Sequence, residues 1–553
     1  MEHTITIYCK NTKSYHEVER GISLMQLKEQ LNIQLKFPVI AARVNYKLEN
    51  LNFLLYKPKD VEFVDISSPT GRRCYVRSLI MVMACAVHEL YPETDLRIEH
   101  PICKGYYCTL QGAELTPDKI AKIKERMLQI IKEDRKIEEV EKQTKEVIRI
   151  FAEQTDGKAT LFRTLGNPYC RYFRMGDFND YYANVLMPST GYINIFDIEP
   201  FHDGVLLRIP SRTNPVVIES TVVQDKMFAH FSEYSKWNKL MNIANVGDFN
   251  NLFDAGKSAE MIRLAEALHE KKVIQIADMI KNREGGTPKI VLISGPSSSG
   301  KTSFANRLRI QLMVNGLNPL TVSMDNYFVN RVDTPKDENG DWDFEDIHAL
   351  DLDLFRDHLQ RMLNGEEVEM PYYSFEKGER EWRGDKIKME KGNVLIVEGI
   401  HALNPELIPN VDKKYMFRIY VSVLTSINLD NHNWIPTTDI RLLRRIVRDY
   451  NTRGFSARET IARCPSVARG EVKWIYPYQE EADAMFNSAL LFELAVLKQA
   501  AEPILAEVPK FCDEYTDAHR LIKALQYFRP IAPSAIPPTS LLRAFVGGNS
   551  QSL

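Results

Sequence analysis

The chain lacks long hydrophobic runs, a strong excess of either charge, and paired histidines. Its longest apolar stretch, Leu79 to Val87, is far too short to cross a bilayer, so no membrane association is expected. A formal net charge of −3 over 553 residues speaks against a nucleic-acid-binding surface spread along the whole chain, while leaving room for a local basic cleft. The eight cysteines are scattered, with no signal sequence ahead of them. Reduced thiols and a cytoplasmic location are therefore expected. His100, Cys103 and Cys108 lie close together but lack a fourth ligand at useful spacing, so buried thiols are expected there rather than zinc. No two histidines are four residues apart, which removes the pair by which one helix face presents two imidazoles. The length exceeds what one core can serve, so roughly three or four domains are expected.

What the chain does have is a phosphate loop. Lys289 to Ser294 reads as an apolar strand. Behind it, Gly295-Pro296-Ser297-Ser298-Ser299-Gly300-Lys301-Thr302 fits G-x-x-x-x-G-K-[ST] at every fixed position, and Ser303 continues into a helix. Small residues let backbone N–H groups curl around phosphate oxygens. Lys301 supplies a point charge to the β/γ-phosphates and Thr302 a hydroxyl for Mg²⁺. The helix N-terminus adds partial positive charge. A nucleotide is the expected ligand, ATP or GTP.

Ahead of the loop, Thr4–Cys9, Val39–Asn45 and Val61–Asp65 read as strands and Leu24–Leu31 as a helix, which gives a ubiquitin-like α+β module over 1–67. Helices are expected over Tyr75–Tyr91 and over Pro117–Gln154, the second opened by Thr116-Pro117-Asp118. Short strands follow to Val223, completing a second α+β unit over 68–225. Residues 226–285 have helical periodicity and read as a connector, broken by Glu284-Gly285-Gly286-Thr287-Pro288. After the phosphate loop, Pro319–Met324, Asn393–Glu398 and Met416–Val421 are continuous apolar strands separated by helical stretches. This predicts a doubly wound parallel α/β sheet over 286–505. Residues 506–553 read as a helix and a Pro/Gly-rich tail, which is expected to lie on the surface or be partly disordered.

In such a sheet, ligands collect beyond the C-terminal strand ends. Two carboxylates stand there, Asp325 after the second strand and Glu398 closing the third. Asp325 is placed to accept a hydroxyl proton, and Glu398 to hold Mg²⁺ with Thr302. Further on, Arg441, Arg444, Arg445 and Arg448 recur at helical spacing, with Leu442, Leu443, Ile446 and Val447 on the other stripe. Arg453 and Arg458 continue the cluster. A face made of guanidinium predicts a polyphosphate partner, and a helix that closes as a lid.

These ordered elements carry two resemblances. Ala86-Val87-His88-Glu89-Leu90-Tyr91-Pro92, Gly105-Tyr106-Tyr107-Cys108 and the Thr116-Pro117 helix start resemble the N-terminal half of threonyl-tRNA synthetases, a TGS domain followed by an editing-type domain. The histidine pair of that family falls on Arg77 and Met81, so the resemblance implies the shape without the hydrolytic chemistry. The phosphate loop, Asp325-Asn326-Tyr327, Val397-Glu398-Gly399-Ile400 and the arginine helix resemble the uridine kinase/phosphoribulokinase family over about 287–500. That resemblance implies Asp325, Lys301, Arg444 and Arg448 as catalytic groups, and Thr302 and Glu398 as the Mg²⁺ shell. Asp343 or Glu345, Tyr373, Arg445 and Arg453 would face the acceptor. The family's pocket histidine falls on Gly378. The expected activity is phosphoryl transfer from ATP or GTP to a nucleoside 5′-hydroxyl, with uridine or cytidine first, in a homo-oligomer. The alternatives are another small alcohol such as a sugar phosphate, or an RNA- or nucleotide-sensing regulator that uses the phosphate-loop domain as a switch.

Overall fold

Side chains alternate along a strand, so a strand buried on both faces needs two cores. Strand β1 (Ile290–Ser294) has them. Ile290 and Leu292 enter one core, and Val291 and Ile293 another. The computed structural model describes residues 3–154, 157–409, 411–425 and 427–550. Around β1 lie β2 (Asn318–Ser323), β3 (Asn393–Glu398), β4 (Met416–Ser422) and β5 (Ala484–Asn487). All pair in parallel, in the order β2-β3-β1-β4-β5. The chain leaves β1 toward the β2 edge and later returns to the β4 side. The crevice beyond β1 is therefore the topological switch point where this architecture binds ligands. β5 is a short strand not anticipated from the sequence.

The first 67 residues form the expected α+β module. Thr4–Cys9 pairs in parallel with Asp60–Val64 at the centre of a five-stranded sheet, and Ser14–Glu19, Ala41–Val44 and Lys47–Glu49 add antiparallel neighbours. Helix Leu24–Gln30, closed at its start by a capping box from Ser23 and Gln26, buries Leu24 and Leu27 on that sheet.

Helix Pro69–Leu90 holds the long apolar run at the middle of a second core, where it is buried nearly all round. No helix among the described residues is long and apolar enough to cross a membrane. The expected helix Pro117–Gln154 is corrected. It ends at Lys132, where Asp134 turns into the left-handed region with φ 48°. Glu138–Gln143 is then a strand, and Thr144–Ile150 a short helix. The glutamates of that strand read as helix former, but they meet arginines across the sheet. Glu138 faces Arg174 and Glu141 faces Arg171, each an ion pair.

The cores cross the boundaries expected from sequence. Val147, Phe151, Leu161, Phe162 and Tyr172 share one core with the parallel sheet and with residues as far as Phe545. The connector is three helices, Asp225–Leu240, Val246–Asp254 and Ser258–Lys281; the last two are part of this core, while Met227 of the first enters the core on the other side of the parallel sheet. The C-terminal tail is also corrected. Ile531, Ile536, Leu541, Leu542 and Phe545 are buried. Proline-rich sequence here wraps a core that its spaced apolar residues can fill.

Candidate active site

The phosphate loop joins β1 to helix α1 (Lys301–Val314). Gly295 has no room for a side chain, since a Cβ would stand 2.2 Å from the Val421 carbonyl oxygen. Gly300 takes φ +83°, and a Cβ there would lie 2.8 Å from Leu541 in the C-terminal tail. The tail thus packs against the back of the loop. Ser298 Oγ and Ser299 Oγ are buried with no hydrogen-bond partner. Buried polar groups are normally satisfied, so these hydroxyls fit a ligand rich in acceptor oxygens. Ser303 is buried in the first helical turn.

Lys301 Nζ donates to the loop's own carbonyls, Gly295 O at 2.9 Å and Pro296 O at 3.3 Å. Burial pushes its pKa down, and the charges of Glu398, Asp325 and Glu345 push back. These three acids therefore converge on one ammonium. Glu398, at the end of β3, accepts from Thr302 Oγ1 at 3.2 Å and from Ser323 Oγ at 2.8 Å. Burial raises its pKa, and Asp325 raises it further. Two crowded carboxylates beside a hydroxyl are hard oxygen donors that suit Mg²⁺. That ion keeps water and phosphate in most of its shell and takes few protein ligands. Among the described residues no cluster of three or more His, Cys, Asp or Glu is arranged to hold a metal. Thr302 and Glu398 are the groups that would hold Mg²⁺, with Asp325 next to them.

The arginine helix, α2 (Thr437–Arg453), departs from the expected lid. Leu443, Ile446 and Val447 anchor it in the core. Arg441 is paired with Glu471 and Arg444 with Glu493, both buried. Arg444 is 0% exposed, and the Phe545 ring lies 5.1 Å from its guanidinium. Their remaining N–H groups reach the loop from behind, Arg444 to Ser298 O at 3.2 Å and Arg441 to Ser297 O at 3.4 Å. Arg444, expected as a catalytic group, is fully buried, and its guanidinium donates to the backbone of the loop. The guanidinium face has two of its arginines partnered inside the protein. Glu471 and Glu493, far away in sequence, neutralise it, and nothing local to the helix announces them.

Arg445 and Arg448 of the same helix lie among the charges of the site. Arg448 donates to Asp449 at 2.9 Å; its charge lowers the Lys301 pKa, and the Asp325 carboxylate acts on Arg448 in turn. Arg445 lies beside Glu345. Burial raises the Glu345 pKa to about 7, with Arg445 opposing the shift. Glu345 therefore belongs to the Lys301 neighbourhood. Asp343 caps its own turn, accepting from the Glu345 N–H at 3.1 Å.

On the acceptor side, Tyr373 is buried against Phe328 and Phe375. Arg453 sits 4.8 Å over the Phe375 ring. Gly378 takes φ +75°, and a Cβ there would come within 2.7 Å of Arg331 Nε. Arg331 also donates to Phe375 O at 2.8 Å. Sequence reasoning missed Arg331. The glycine at 378 was the available signal, since it clears the space that the arginine occupies. Arg458 pairs with Glu514 at the surface, outside this group.

The phosphoribulokinase/uridine kinase family profile matches residues 290–491. A uridine kinase of Bacillus pumilus is 30% identical over 197 residues, which are 35% of this chain and 84% of that protein. A uridine kinase of Halobacterium salinarum is 30% identical over 163 residues, 29% of this chain and 63% of that protein. The N-terminal half is similar to threonine–tRNA ligases, for which the Clostridium kluyveri protein is 31% identical over 190 residues, 34% of this chain. The chain spans about 30% of the length of that ligase. With the phosphate loop, the strand-end acids and this extent of likeness together, the chain belongs to the phosphoribulokinase/uridine kinase family.

Proposed function

We propose that residues 286–505 are an ATP-dependent kinase that phosphorylates the hydroxyl of a small alcohol, first of all a nucleoside 5′-hydroxyl, with uridine and cytidine as the leading acceptors. The convergence of Asp325, Glu398 and Thr302 around Lys301 carries this reading. Asp325 accepts the proton of the acceptor hydroxyl as the oxygen attacks the γ-phosphorus. The bond from phosphorus to the β–γ bridging oxygen breaks, and ADP leaves. Lys301 moves from the loop carbonyls onto the phosphates. Arg448 adds positive charge beside Asp325. Thr302 and Glu398 are the groups that would hold Mg²⁺, directly or through water, and the ion would offset phosphate charge. Residues 1–67 and 68–225 are read as TGS and editing-like units, the latter without hydrolysis because Arg77 and Met81 replace the histidine pair. A cytoplasmic homo-oligomer completes the reading.

A panel of nucleosides with ATP and the full chain tests it. Uridine or cytidine should be turned over, and failure of every nucleoside would overturn the nucleoside assignment. One observation favours a second acceptor class. Arg331 and Arg453 both lie at Phe375 and together suit an anionic acceptor such as a sugar phosphate. Phosphosugars belong in the same panel.

A further inference from the structure

Gly470 stands inside helix Cys464–Trp474, where glycine is a poor helix former and no left-handed backbone calls for it. What calls for it is a contact. A Cβ at this position would stand 2.2 Å from Glu345 Cβ and 3.0 Å from Glu345 Cγ. Both atoms lie at the root of the side chain, so Glu345 could not make room by swinging its carboxyl end; the residue as a whole would have to shift.

The contact is pinned on both sides. One residue before Gly470, Arg469 pairs with Asp337 at 2.6 Å, and three residues after it Lys473 reaches Asp346 at 3.5 Å. The next residue, Glu471, is buried on Arg441, which donates to Ser297 O of the phosphate loop. The helix is thus tied to the loop through Glu471 and to residues 337–346 through its neighbours, and the missing side chain at 470 sets how closely Glu345 approaches. Glu345 also has an atom to offer. Its Oε2 is buried without a hydrogen-bond partner, as is Trp474 Nε1, one helical turn on from Gly470. Buried polar atoms are normally satisfied, and a carboxyl oxygen with an N–H donor suits hydroxyl groups, which both give and accept. Around the carboxyl, Arg445 and Lys301 favour its ionised form, while burial, Glu471 and Asp343 oppose it.

We propose that Gly470 is a positioning residue for the acceptor: it seats Glu345 where Oε2 meets an acceptor hydroxyl beside the phosphate loop. This role rests on the kinase reading of the phosphate-loop site, and it makes the seat of Glu345 a determinant of which hydroxyl-bearing acceptors are taken.

Gly470→Ala in the full chain tests it, with Val472→Ala, at an exposed position of the same helix, as control. In Gly470→Ala the acceptor KM should rise roughly tenfold to a hundredfold, the scale of a hydrogen bond to a charged group. The kcat and the ATP affinity should stay close to wild type, which also shows that the variant is folded. Glu345→Ala should raise KM as well, and the double variant should add little to it, because both changes remove one contact. Melting between pH 5 and pH 8 gives a readout independent of turnover. A displaced Glu345 loses its burial, so the fall of melting temperature with rising pH should be smaller in Gly470→Ala than in the wild type and unaltered in Val472→Ala. An unchanged KM, a double variant whose KM rise is the product of the two single rises, or a wild-type melting profile in Gly470→Ala would each overturn the proposal. If the wild-type chain turns over no acceptor, the kinase reading fails, and the melting profile still decides whether Gly470 seats Glu345.

Discussion

Arg444 and Glu493 form an ion pair that is 0% and 1% exposed, directly behind the phosphate loop. The guanidinium also donates to Ser298 O and Ser488 O, and Leu490 N–H donates to the glutamate. Every remaining polar group of the pair has work within the fold. A helix face that looks poised for a ligand is therefore the scaffold of the loop that binds one.

Arg444→Ala would leave Glu493 buried and unpaired. The expected cost is about 3–5 kcal/mol of stability, read by urea unfolding. A catalytic arginine would instead lose turnover at unchanged stability. An Arg444→Ala protein with wild-type stability and a reduced rate would restore the catalytic assignment.

Asp325→Asn should slow phosphoryl transfer by about 10²–10⁴-fold, the usual contribution of a general base. Nucleotide affinity should stay close to that of the wild type, because Lys301 and the loop remain. Single-turnover kinetics beside equilibrium nucleotide binding separate the two effects.

Glu345 gives a pH dependence of defined sign. Its folded-state pKa of about 7 exceeds the ordinary 4.5, so between these values the folded chain holds a proton that the unfolded chain has released. Its contribution to stability is then greatest at low pH and falls as pH rises through that window. Glu345→Gln should remove this fall, and its melting temperature should gain on the wild type from pH 5 to pH 8. An identical pH profile for the two proteins would exclude the raised pKa.

Leu541 rests on Gly300, where a Cβ would come within 2.8 Å of it. Leu541→Ala should cost about 2–5 kcal/mol through the cavity it opens. Nucleotide affinity should weaken with it, since the loop loses its backing. Thermal melting with and without nucleotide measures both.

Arg331→Ala distinguishes the acceptor classes. If the acceptor carries a phosphate, its KM should rise about tenfold to a hundredfold, on the scale of a charged hydrogen bond. A neutral nucleoside should be nearly indifferent. Steady-state kinetics with both acceptors gives the answer.

The sequence by itself determines the features whose physics is local. The phosphate loop is legible because glycines, a lysine and a threonine at set spacing serve one backbone shape. The parallel strands are legible because both of their faces are apolar, and Asp325 and Glu398 because strand ends in such a sheet point to one crevice. Tertiary structure decides what depends on partners distant in the chain. Glu138–Gln143 becomes a strand because Arg171 and Arg174 lie across from it. The C-terminal tail is core because the back of the phosphate loop and Arg444 offer it a surface. The arginine helix supports the loop rather than covering it, because Glu471 and Glu493 reach it first. A charge pattern shows that a helix face needs counter-charges, but only the fold determines whether protein or ligand supplies them, since burial of the pair is set by packing from every side.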